Sequence, residues 1–242
     1  MNLIIDQGNT KVKLAVFEGQ LCTELQSFEA HQLAQMEQFI QKYPVEQGIY
    51  ASVVNQNLKE QLQAVCPFTI KTFPHFARLP FSIEYQTPKT LGIDRVALVA
   101  AAYYDYPKTN CLVIDAGTCI TYDFITAKGV YMGGAISPGL NMRYQSLHQD
   151  TANLPLVTSQ TSETWPGTST QSSIEVGVVQ GILNEVAGTI QQYENRFAPV
   201  QVLITGGNLL VLDSLVKNNI FAAPNLLLKG LNNILQHYAA MP

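Results

Sequence analysis

Leu3-Ile4-Ile5-Asp6-Gln7-Gly8-Asn9-Thr10 near the start of the chain and Leu112-Val113-Ile114-Asp115-Ala116-Gly117-Thr118 near its middle are two copies of one pattern. Each is an apolar, β-forming run that delivers an aspartate into a glycine turn with a threonine beside it, and each is followed by a second β-type stretch. A carboxylate at a strand end can hold a cation, and glycine lets backbone N–H groups approach an anion. The duplication predicts two similar halves, each with a turn suited to phosphate. Two such turns can grip one nucleotide from both sides.

Composition narrows the partners. The chain has 242 residues and is 47% hydrophobic, enough to build a core in each half. Charged residues are only 13% and the net charge is -4, against roughly 25% charged residues in ordinary soluble domains. No reservoir of lysine and arginine is left for a nucleic-acid backbone, which disfavours a nucleic-acid role, and no nucleic-acid partner is expected. The four cysteines form no CxxC pair and the four histidines are scattered, which argues against a zinc site. Cys111 and Cys119 flank the second turn and read as small buried thiols. The N-terminus has no basic region followed by an apolar one, and no uncharged apolar stretch reaches about 18 residues. A soluble, cytoplasmic protein without a membrane partner is expected.

Working outward from the two turns, residues 3–29 predict strands with a hairpin at Glu18-Gly19-Gln20, and 31–43 a helix. A strand over 47–54, a helix over 57–65 and a strand over 68–73 follow. Gly92-Ile93-Asp94-Arg95 opens an alanine-rich helix that runs to about Pro107. The strand program restarts at Cys111, with hairpin strands over 121–124 and 129–132 that lead into Gly133-Gly134-Ala135-Ile136-Ser137-Pro138-Gly139. The Ser/Thr-rich stretch 158–173 reads as a loop before a helix over 174–196. Gly177, Gly181 and Gly188 in that helix suggest close packing of another backbone. A strand over 200–204 stops at Thr205-Gly206-Gly207, and 225–238 is an amphipathic helix. This is an α/β chain of two domains, 1–108 and 109–242.

Five motifs now stand in order: Asp6-Gln7-Gly8-Asn9-Thr10-Lys11-Val12-Lys13, Gly92-Ile93-Asp94-Arg95, Asp115-Ala116-Gly117-Thr118, Gly133 to Gly139, and Thr205-Gly206-Gly207. In order, spacing and chain length they resemble the type III pantothenate kinases, over essentially the whole chain. The resemblance implies duplicated ribonuclease H-like (actin-like ATPase) domains. Each would be a mixed five-stranded sheet with flanking helices, with nucleotide in the cleft between them. It implies ATP-dependent phosphorylation of the primary hydroxyl of pantothenate to 4'-phosphopantothenate, the first step of coenzyme A biosynthesis, by a homodimer with its substrate pocket near the interface. ATP, Mg2+ and a monovalent cation, K+ or NH4+, are the implied co-substrate and ions.

Residue by residue, the resemblance assigns Asp6, Gln7, Gly8, Asn9, Thr10, Lys11, Val12 and Lys13 to ATP, with Asp6 holding Mg2+ and the Lys13 ammonium on the phosphates. Thr118 would also contact ATP, and Asp115 would be the ligand of the monovalent cation. Asp94 would be the general base toward the hydroxyl, within a substrate site of Tyr85, Gly92, Ile93, Asp94, Arg95 and Thr170. Each residue has a plainer reading. Asp115 can cap its own turn, Asp94 can stabilise the first turn of its helix, and Arg95 can form a surface ion pair. Tyr85 can sit on a half-buried strand, and Thr170 can cap a helix. Two rival functions share the same cleft: another small-molecule kinase of this superfamily, and a regulatory protein that retains the nucleotide site.

Overall fold

The first Asp-x-Gly run folds as the central strand of a sheet. In the computed structural model, which describes all residues except 9–10, 55–57, 74–78, 159–160, 162–164, 216–219, 241–242 and the side chain of residue 210, Asn2–Gln7 forms β1. It pairs antiparallel with β2 (Val12–Glu18), which turns at Gly19-Gln20 into antiparallel β3 (Leu21–Phe28). On its other edge β1 pairs parallel with β4 (Gln47–Ser52), and β4 with β5 (Ile70–Thr72), giving the order β3-β2-β1-β4-β5.

Leu3, Ile4 and Ile5 are all fully buried, as a central strand with both faces covered requires. One face packs on α1 (Leu33–Gln41) and α2 (Leu58–Val65) through Met36, Phe39, Ile40 and Leu62. The start of α2 expected at Asn57 lies outside the described residues. Ser82–Ile83 (β6) and a 3₁₀ turn at Pro88–Thr90 lead to α3 (Ile93–Asp105).

The second run repeats the plan. β7 (Asn110–Ala116) pairs antiparallel with β8 (Cys119–Ile125), and β8 with β9 (Val130–Pro138). β7 also pairs parallel with β10 (Val200–Thr205), and β10 with β11 (Ile220–Ala222). Five of the six strands of this sheet, in the order β9-β8-β7-β10-β11, match β3-β2-β1-β4-β5 strand for strand and direction for direction. Helices α4 (Leu140–Gln149), α5 (Thr170–Phe197) and the short α6 (Leu209–Leu212) complete this half, with Val178, Ile182, Val186 and Ile190 of α5 in its core. A duplicated ribonuclease H-like plan with two mixed five-strand motifs is the fold of this chain.

Besides β9, which runs on through Gly133-Gly134 to Pro138 instead of ending at Met132, the structure departs from the sequence reading in three places. The chain divides into one compact unit of residues 1–105 with 226–242 and another of 106–225. The C-terminal helix α7 (Leu226–Ala239) therefore returns to the first unit rather than closing the second. Its Gly230 lies so close to α3 that a Cβ there would sit 1.8 Å from the Ala97 carbonyl oxygen. Asn232 receives a hydrogen bond from Asn2 (2.8 Å) and donates one to the Gly19 carbonyl (2.9 Å), and Lys229 pairs with Asp105 at 2.6 Å.

Second, α5 begins at Thr170, four residues before the expected Ile174. Ser169 and Ser172 exchange side-chain and backbone hydrogen bonds in a capping box that starts the helix early. Third, among the described residues the α5 glycines meet no close backbone of another element. A Cβ at Gly177 or Gly188 would touch nothing within 4 Å, and at Gly181 only Arg143 at 3.9 Å. Among the described residues no helix is long and apolar enough to cross a membrane.

Candidate active site

In the first unit, the β1–β2 turn is closed by the Gly8 N–H donating to the Lys11 carbonyl at 3.0 Å. Asp6 and Lys13 are direct partners across the two strands. Because strand side chains alternate, Lys11 and Lys13 share the exposed face, while Val12 between them is buried in the core. Gln7 is also buried. Its side-chain oxygen accepts hydrogen bonds from the Tyr50 and Ser52 hydroxyls, and its carbonyl from Val53 N–H at 3.2 Å, tying the turn to β4. The side chains of Gln7 and Val12 thus serve the scaffold, and the turn offers backbone, Asp6 and the two lysines to a ligand. Asn9 and Thr10 lie outside the described residues.

Burial raises the Asp6 carboxyl from its ordinary 3.8 to about 6; Lys13 opposes this shift and Asp94 adds to it. The charge of Asp94 is thus felt at Asp6, so two carboxylates and one ammonium are coupled electrostatically. Asp94 is in the first turn of α3, where its Oδ1 accepts the Arg95 N–H at 2.9 Å. Gly92 makes room for it, since a Cβ at that position would lie 2.4 Å from Asp94 Oδ1. Arg95 is not the surface ion-pair residue of the plainer reading. It is 5% exposed, with its guanidinium 5.9 Å from the centre of the Tyr85 ring. A buried cation beside a half-buried aromatic ring suits a small organic anion.

In the second unit, the Gly117 N–H donates to the Cys119 carbonyl at 3.0 Å, which closes a tighter turn after Asp115, two residues long between β7 and β8. Gly206, at a φ of +106° that disfavours any side chain, is pressed against it: a Cβ would be 2.5 Å from Asp115 Oδ1 and from the Ala116 carbonyl carbon. Asn208 donates from its backbone to the Ala116 carbonyl (2.9 Å) and from its side chain to the Gly117 carbonyl (3.1 Å). The sequence reading missed Asn208, although it directly follows the quoted Thr205-Gly206-Gly207. Thr118 is exposed at the tip of the turn. Cys119 is half-exposed rather than buried, 3.8 Å from the Met142 sulfur.

Thr170 is exposed at the first position of α5, and the cap is Ser169, one residue earlier. It lines a cavity of about 1170 Å³ within this unit, together with Arg143, Ser146, Ser173, Ile174 and Gly177. No group of three or more His, Cys, Asp and Glu among the described residues could hold a metal unaided.

Residues 2–192 match the family model described as type III pantothenate kinase. A type III pantothenate kinase of Christiangramia forsetii is 46% identical over 238 residues, covering 98% of both chains. That of Flavobacterium johnsoniae is 43% identical over 239 residues, again covering 98% of both. Among solved structures, a conserved Campylobacter jejuni protein assigned to the Baf family of transcriptional activators superposes with a TM-score of 0.63 at 21% identity, covering 99% of this chain and all (100%) of that one. The Listeria monocytogenes protein Lmo2764, assigned as an N-acetylmannosamine kinase, gives 0.55 at 15% identity, with 98% and 99% covered. At these identities the structural likeness speaks for the fold.

Proposed function

The chain belongs to the type III pantothenate kinase family, and from that premise we infer which of its residues carry the reaction. The enzyme transfers the γ-phosphoryl group of ATP to the primary hydroxyl of pantothenate, giving 4'-phosphopantothenate and opening coenzyme A biosynthesis.

The observation that carries the assignment is the pairing of Asp6 with Lys13 across β1 and β2, with the Asp94 charge acting on the same carboxyl. Lys13 binds the ATP phosphates as a point charge, with the backbone of the Gly8 turn and Lys11 beside it. Above pH 6 Asp6 is ionised despite burial, so this region carries negative charge that a cation would offset. A hard divalent ion held by one carboxylate and completed by ATP phosphates fits this arrangement. When bound, Mg2+ supplies charge neutralisation on the transferring phosphoryl group.

Asp94 orients the pantothenate hydroxyl and accepts its proton as the oxygen attacks phosphorus. A loose transition state asks for no strong base. Arg95 holds the pantothenate carboxylate as a fork against Tyr85, with Gly92 and Ile93 setting the approach; in the second unit, we assign Thr170 to the same substrate. The burial of Arg95 supports this role, because a desolvated guanidinium gains most from an anionic ligand.

In the second unit, Thr118 takes the ATP phosphates, and Asp115, a hard oxygen donor in a turn of carbonyls, takes K+ or NH4+. We place the protein in the cytoplasm, as a homodimer. The open glycine face of α5 (Gly177, Gly181, Gly188) supports that helix as the contact.

A coupled assay of ADP release tests these roles together. Pantothenate-dependent release should need K+ or NH4+ and should fall by about two to four orders of magnitude in Asp94→Asn with ATP binding retained. Equal rates in potassium and sodium would remove the Asp115 assignment. An Asp94→Asn enzyme with more than about a third of wild-type turnover would reduce Asp94 to helix stabilisation.

A further inference from the structure

Glu185, near the middle of α5, belongs to none of the sequence motifs, yet it gathers side chains from three other elements. Its carboxylate accepts hydrogen bonds from the Tyr122 hydroxyl of β8 (2.7 Å), the Ser137 hydroxyl of β9 (3.1 Å) and the Arg143 guanidinium of α4 (2.5 Å). Arg143 in turn donates to the Pro138 carbonyl (2.8 Å) and the Ser137 hydroxyl (3.1 Å), and its backbone N–H to the Gly139 carbonyl (3.1 Å). The grip therefore falls on the last residues of β9. Those residues bear directly on the second phosphate turn: a Cβ on Gly139 would sit 2.2 Å from the Thr118 carbonyl oxygen and 2.7 Å from that of Gly117. Pro138 also faces Cys119 across the ladder.

We propose that Glu185, acting through Arg143 and the Pro138-Gly139 backbone, is a positioning residue that sets the Gly117-Thr118 turn for the ATP phosphates. The inference rests on the assignment of that turn to ATP. Asn208 and Gly206 brace the same turn from the segment after β10, so the Glu185 network supplies the second of two supports. Burial raises the Glu185 carboxyl, but the hydrogen bonds from Arg143, Tyr122 and Ser137 and the Arg143 charge outweigh it and hold Glu185 below the usual range. It stays ionised at working pH, and the Arg143 contact stays charge-assisted. Glu185 bears on the Gly117-Thr118 turn and lines no part of the Thr170 cavity, so Glu185 variants should change nucleotide binding more than pantothenate binding.

The test compares wild type, Glu185→Gln, Glu185→Ala and the Glu185→Ala/Arg143→Ala double variant. It measures KM for ATP, KM for pantothenate, thermal melting, and the affinity for a non-hydrolysable ATP analogue without pantothenate. Glu185→Ala should raise KM for ATP and the analogue Kd about five- to tenfold, with KM for pantothenate within about twofold. Glu185→Gln, which keeps the shape and loses the charge, should fall between, and the double variant should bind nucleotide no worse than Glu185→Ala because the pair acts as a unit. Melting lowered with unchanged nucleotide affinity, or an equal rise in both KM values, would overturn the proposal. Should Glu185→Ala fail to fold, Glu185→Gln decides by the same criteria. The analogue titration needs no acceptor, so it judges Glu185 even if pantothenate proves inert, an outcome that would count against the pantothenate kinase reading instead.

Discussion

Asp6→Asn removes a buried negative charge from the first phosphate turn, and the pH dependence of its effect on unfolding follows from the carboxyl's shift. In the unfolded chain Asp6 titrates near 3.8, and in the folded protein at about 6, chiefly because burial disfavours the charged form. Below 3.8 the carboxyl is neutral in both states. Between 3.8 and about 6 the folded protein keeps a proton that the unfolded chain has released, so stability falls as pH rises; above about 6 the penalty is complete.

At about 1.4 kcal/mol per pH unit the full penalty is about 3 kcal/mol. Asparagine is neutral at every pH and close in shape, and the partner Lys13 is exposed and loses little. Urea unfolding in EDTA without nucleotide should therefore show Asp6→Asn no different from wild type near pH 4 and more stable by up to about 3 kcal/mol at pH 8. Its turnover with Mg-ATP should fall by about two orders of magnitude or more. A stability difference that does not change between pH 4 and pH 8, or an Asp6→Asn protein less stable at pH 8, would refute the reasoning.

Gly92→Ala should displace the Asp94 carboxylate, whose Oδ1 lies 2.4 Å from the new Cβ. Because a side-chain end can move aside, kcat should drop at least tenfold while melting shifts little. Arg95→Ala should raise KM for pantothenate far more than for ATP, by the roughly 1.5–3 kcal/mol of a charge-assisted hydrogen bond; steady-state kinetics in both substrates checks it. Gly230→Ala should destabilise strongly, because the added methyl meets the Ala97 backbone at 1.8 Å rather than a movable side chain. A melting temperature within a degree or so of wild type would show that α3 and α7 separate easily.

Much of this was legible because the signals are local. The two apolar runs ending in Asp6 and Asp115, each followed by a glycine turn and a second strand, led directly to two sheets that share one five-strand order. The helix opened by Gly92-Ile93-Asp94-Arg95 starts where the motif placed it. What failed depends on distant partners. Gly177, Gly181 and Gly188 drew attention by their spacing, yet the glycine at a close helix crossing is Gly230, which needed the small residues Ala97 and Ala101 of α3 opposite it. The return of α7 to the first unit rests on Asn232 reaching Asn2 and Gly19, more than two hundred residues away, and no periodicity encodes that. Gln7 and Val12 sit inside a ligand motif but turn inward, as strand alternation and Tyr50 on the next strand dictate. The Ser169–Ser172 capping box is masked in the sequence by a stretch rich in the same residues, where many Ser/Thr pairs offer the same spacing.

The most direct test of the central claim is the identity of the product when the purified chain is incubated with ATP, Mg2+, K+ and pantothenate. Mass spectrometry with 31P NMR should find 4'-phosphopantothenate formed in step with ADP by the wild type and reduced by about two to four orders of magnitude in rate by Asp94→Asn. No phosphorylated pantothenate from the wild type, with phosphate transferred instead to a sugar or acetate offered in its place, would contradict it.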